Sequence, residues 1–165
     1  MKISVLGLVL VPAAALVSSA FAGTVKTHVE SMKASGQPEV ISVDKGEYTC
    51  SSCQPAIKIK ADGDKQKVAG NSEYDAMMVR VLDPHSIEIV QELNGKNRAF
   101  YRYSVSPDGK TLTVKYNDYS TGTEKQGGYT ATRLAAAPPG AHAVSGSWKI
   151  EQTSAEKPAS AASAH

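Results

Sequence analysis

Residues 77–116 read MMVRVLDPHSIEIVQELNGKNRAFYRYSVSPDGKTLTVKY, and this stretch decides the fold. Apolar and polar residues alternate through each run, and each break between runs is built from Asp, Asn, Pro or Gly. Ile87, Ile89 and Leu93 fall on one face of a run, with Glu88 and Glu92 on the other. Leu112, Val114 and Tyr116 stand against Thr111, Thr113 and Lys115 in the same way. A period of two marks strands with one buried face. Asn94-Gly95 and Asp108-Gly109 supply the backbone angles that tight hairpins demand. The pattern predicts an all-β protein, an antiparallel meander whose strands follow one another by hairpins.

Working outward, Val40 to Val43 reads as a strand, Asp44-Lys45-Gly46 as a turn and Glu47 to Cys50 as a second short strand. Ile57 and Ile59 alternate with Lys58 and Lys60, Asp62-Gly63-Asp64 turns the chain, and Gln66 to Ala69 returns. Gly128 to Leu134 is the last strong strand. Val25, Val29 and Met32 recur at helical spacing, predicting a short helix or turn over one barrel end. The helical signals that a parallel sheet needs are absent. About eight to ten antiparallel strands then have edges to protect, and closure into a barrel does so.

The N-terminus reads as an address. Lys2 precedes an apolar run from Ile3 to Val17, and Ala20-Phe21-Ala22 offers the small-x-small pattern of a signal peptidase site. Residues 1–22 are expected to be a cleaved signal peptide, so the protein is expected to be exported, to a periplasm or outside the cell. No second long apolar segment follows, so no transmembrane helix is expected in the mature chain. Lys and Arg number 18 against 16 Asp and Glu, interleaved along the chain. That balance lacks the basic face of a nucleic-acid binder. A barrel domain is expected over residues 23–134, an Ala/Pro/Gly linker over 135–144 and a short strand or repeat stub over 145–152. An Ala/Ser-rich disordered tail is expected over 153–165.

Chemistry-bearing residues are sparse. Cys50 and Cys53 in an exported chain are expected to form a small disulfide loop. The redox reading needs a helix after the first Cys to lower its pKa, and Pro55 with strand alternation follows instead. The metal reading needs further ligands, and His28, His85, His142 and His165 do not pair at ligand spacing. No catalytic residues, metal site or cofactor are expected, and the protein is read as a non-enzyme. Tyr101, Tyr103, Tyr116, Tyr119 and Tyr129 cluster on or beside the later strands. They can line a pocket, apolar in body and polar at the tip, or pair across strands in a filled core. The candidates for lining a barrel interior are Tyr101, Tyr103, Tyr116 and Tyr129 with Met77, Val79, Ile87 and Ile89.

Three motifs carry a family resemblance: Gly23-Thr24-Val25-Lys26, Gly46-Glu47-Tyr48-Thr49-Cys50-Ser51-Ser52-Cys53, and Ser106-Pro107-Asp108-Gly109-Lys110-Thr111. Spread over most of residues 23–150, they make the chain resemble bacterial exported proteins of a lipocalin-like β-barrel type, of uncharacterised function. The resemblance implies a lipocalin-like barrel and a non-enzymatic carrier or sequestering role for a small apolar molecule. The alternative is a structural or interaction module with a filled core, and the sequence names no protein partner. One departure matters. Val25 stands where that signature places Trp, while Ser145-Gly146-Ser147-Trp148-Lys149 looks like the same Gly-x-Trp start placed late in the chain. Residues 145–152 would then either begin a second repeat or pack back on the first barrel.

Overall fold

Alternation becomes burial strand by strand. Along β8 (Thr111–Asp118), Leu112, Val114, Tyr116 and Asp118 are buried while the residues between them are not. The computed structural model describes residues 23–159; the expected signal peptide and residues 160–165 lie outside the described residues. Within them the order is α1 (Thr24–Ser35), β1 (Glu39–Asp44), β2 (Glu47–Cys50), β3 (Ile57–Lys60), β4 (Gln66–Lys67), β5 (Ala76–Asp83), β6 (Ser86–Leu93), β7 (Lys96–Val105), β8, β9 (Lys125–Ala136), β10 (Gly146–Thr153) and β11 (Lys157–Pro158). The strands form one antiparallel sheet in the order β3-β2-β1-β10-β9-β8-β7-β6-β5-β4, with β11 paired to β9. It is a meander curled into a nearly closed barrel. Asn94 and Gly95 take φ of 52° and 75°, the pair of positive angles that a two-residue hairpin requires.

The chain closes on itself through β10, which lies between β1 and β9: Trp148 stands opposite both Glu39 and Arg133. This corrects the expected boundaries. The barrel does not end at residue 134: of the two readings of residues 145–152, the structure takes the short strand that packs back on the first barrel, here an internal strand of the sheet. The residues read as a linker are ordered for a physical reason. Arg133 donates through Nη1 to the Ser145 carbonyl, through Nη2 to that of Ala143 and through Nε to that of Gly109, each at 2.6 Å. Its guanidinium lies 4.1 Å from the centre of the Trp148 ring. Val144, Ser145 and Trp148 are fully buried, and the Trp148 indole donates to the Val144 carbonyl at 2.9 Å. This loop fills one end of the barrel. The expected tail also begins too early, since residues 157–158 pair with β9.

The remaining gap lies between β3 and β4. There the Gln66 side-chain amide stands in for a strand: its Oε1 accepts from the Lys60 N–H at 2.9 Å and its Nε2 donates to the Lys60 carbonyl at 2.8 Å. Beyond the two residues of β4, the outer half of β5 loses its cover, and Val81 and Leu82 are exposed.

The opposite end is covered by α1, whose Val25 and Val29 are buried and whose Met32 packs against the same core. The helix has no side-chain cap of its own at Gly23. Its first N–H groups are satisfied by other segments instead. Gly23 N donates to Glu156 at 3.1 Å, Thr24 N to Ser120 at 3.0 Å and Val25 N to Asp118 at 2.9 Å. An orphaned N–H at a buried helix end would cost stability, so these acceptors fix the helix over the mouth.

Candidate functional site

Beneath α1 the barrel is hollow. A cavity of about 340 Å³ lies between the inner face of the helix and the interior of the strands, at the lower end of small-ligand pockets (roughly 300–1,000 Å³). Of the candidate lining residues, Met77, Ile89, Tyr101, Tyr103 and Tyr129 are brought together on its wall. Val79 and Ile87 are fully buried in the core and are not on the cavity wall, although Val79 pairs with Ile89 across the strands. Tyr116 is also buried; its ring lies against Gly127 and its hydroxyl turns to Glu156 at 3.4 Å. It too lies outside the cavity wall. The two readings of the tyrosines thus divide: some line a space and one fills the core.

The most consequential residue of the site is Glu39, which the sequence reading passed over. It is 7 % exposed and lies on the cavity wall. Tyr103 donates to its Oε1 at 2.9 Å and Tyr129 to its Oε2 at 2.8 Å. The two phenol oxygens are 3.4 Å apart, so the three side chains form one buried unit. Burial pushes the Glu39 carboxyl above its ordinary value, against the two phenol hydrogen bonds, which favour the ionised form. Burial, then the Glu39 charge, pushes Tyr103 and Tyr129 well up, so both remain hydrogen-bond donors. Tyr48 and Tyr74 complete the aromatic wall. The strand reading began at Val40, one residue late. Extending the period of two from Val43 through Ile41 places Glu39 on the inward face, and that was the signal available.

The rim is polar. Cys50 and Cys53 are joined as a disulfide, and Cys53 and Gln54 line the cavity beside the 70–74 segment, where Asn71 Nδ2 donates to the Gln54 carbonyl at 3.5 Å. Arg98 lines it too, with its guanidinium bonded to the Glu73 carbonyl, the Glu73 carboxylate and the Ser120 carbonyl. His28 reaches the cavity from α1, and burial lowers its pKa, favouring the neutral ring. His142 lies at the filled end, where its ring Nε2 is 2.7 Å from the Asp83 carbonyl; His165 lies outside the described residues. Among the described residues no three His, Cys, Asp or Glu side chains group as a metal site, and no helix is long and apolar enough to cross a membrane.

The fold and site define a nearly closed antiparallel β-barrel with one filled end and one hollow end under a helix. Comparison with family models, curated proteins and solved structures finds no match to this chain.

Proposed function

We propose that this protein is an exported, non-enzymatic, lipocalin-like carrier that holds one small molecule in the hollow end of its barrel, in the periplasm or outside the cell. The cavity beneath α1, walled by Met77, Ile89 and the tyrosines, is the observation that carries this reading. An eight-stranded or slightly larger barrel has room for side chains or for one small ligand, and here the two solutions divide the interior between its ends. The sequence resemblance to exported lipocalin-like proteins supports the same role. Tyrosine suits such a wall, offering apolar rings to the body of a ligand and hydroxyls to its polar groups.

Native mass spectrometry of the mature protein, purified from its own host without detergent, tests the proposal. The expected result is a retained small-molecule mass that is lost on solvent extraction and regained when the extract is returned. A clean apo mass, with no mass regained from host extracts, would favour the filled-core interaction module instead.

A further inference from the structure

We infer that the ligand of this cavity carries a cationic nitrogen, and that Glu39 is the group that receives it. The inference rests on the binding reading above and names the chemical class of its ligand. Glu39 lies almost wholly out of water at the cavity wall. Both of its protein partners are neutral phenols, and among the described residues no Lys, Arg or His forms an ion pair with it. A carboxylate taken out of water without a counter-ion is costly. Two donated hydrogen bonds reduce the cost of the charged form and bring no positive charge to balance it. They also leave lone pairs free, since an ionised carboxylate can accept about four hydrogen bonds.

The other charged groups of the cavity do not supply the missing cation. Arg98 is held by Glu73 and the Ser120 carbonyl, and burial favours neutral His28. Asp118 already accepts from the Val25 and Ser120 backbone N–H groups. An anionic ligand would meet Glu39 with like charge. A cationic one would find a carboxylate fixed by two hydrogen bonds and an aromatic wall, on which cations are also attracted to ring faces. Val25, Val29, Met77 and Ile89 on the same wall ask for an apolar body behind the charged head. The fitting ligand is a compact amine with an apolar or aromatic body.

Isothermal titration of the full mature chain at neutral pH with three matched probes tests this: 2-phenylethylamine, 2-phenylethanol and 3-phenylpropanoate. The amine is expected to bind at least about tenfold tighter than the alcohol, a difference of about 1.4 kcal/mol, and the carboxylate weakest of all. Glu39→Gln is expected to abolish the preference for the amine while keeping binding of the alcohol. Tyr129→Phe keeps the charge and is expected to keep the preference, and it decides the matter if the first variant fails to fold. Equal binding of amine and alcohol by the unaltered protein would overturn the assignment of a cation and leave the carrier reading standing. Failure of all three probes to bind at millimolar concentration would overturn it as well, and with a clean apo mass from the host protein would remove the carrier reading too.

Discussion

Glu39 is the residue at which stability and function are opposed. Its carboxyl has a higher pKa in the folded barrel than in the unfolded chain, because burial disfavours the charge. Between those two values the native state holds a proton that the unfolded state has released. The stabilising contribution of this group is therefore fully present below the unfolded value and is lost as pH rises through the folded one. Glu39→Gln removes the titration. Thermal melts of the ligand-free protein at a series of pH values should show the variant gaining on the parent as pH climbs from the ordinary carboxylate range, after which the difference holds constant. The neighbouring groups His28, Glu73, Arg98 and Asp118 are shared by both proteins and cancel in the difference, as do exposed Asp83 and Asp108, whose lowered pKa values act in the opposite sense. A difference that stays flat with pH would mean that Glu39 titrates normally. Such a residue is hard to pick out of a sequence because one Glu at a strand start looks like any solvated charge. Only the register of Ile41 and Val43 points it inward.

At the scale of elements, the hairpins were legible, while the closing strand was legible only as one of two alternatives and its partners not at all. Asn94-Gly95 and the alternation of β6, β7 and β8 are local signals, complete within a few residues, and the structure follows them. The place of β10 depends on partners far away in the chain, since Glu39 and Trp148 are paired across more than a hundred positions. Pro138, Pro139 and Gly140 before it carry the composition of a linker, and composition says nothing about the three carbonyls that Arg133 binds. The stacking of Arg133 on Trp148 and the complete burial of the indole make this strand part of the core. Trp148→Ala should cost about 3–5 kcal/mol, the range for removing a large aromatic from a packed interior. Chemical denaturation provides the check: an unchanged midpoint would count against residues 145–152 packing into the first barrel. The short helix was legible from Val25, Val29 and Met32, but its capping was not, because Asp118, Ser120 and Glu156 lie on distant segments.

Across the whole molecule the two ends perform different tasks. One is packed with Val144 and Trp148, while the other keeps space under a helix, and the sheet between them is sealed at its seam by the side chain of Gln66. The sequence made the barrel readable through its alternation, yet it held no signal for which end would be hollow, since that follows from where loop and helix dock. The docking of the helix has a further consequence at Gly23. Its backbone nitrogen is buried beside Glu156, and a side chain at this position would run into Asp118. If export removes residues 1–22 as the leader pattern predicts, that nitrogen becomes the α-ammonium of the mature protein, a cation delivered between two carboxylates. Lys125, 3.9 Å from Glu156, would then share the neutralisation of the pair. A chain beginning at Gly23 should melt higher than one with a single extra alanine ahead of it, because a positive charge strengthens a hydrogen bond that both chains make to Glu156. Equal thermal melts for the two would show that the terminus adds nothing. On this account removal of the leader would add a charge to a contact that already holds the helix above the cavity, so processing would tighten that cover without being needed to close it.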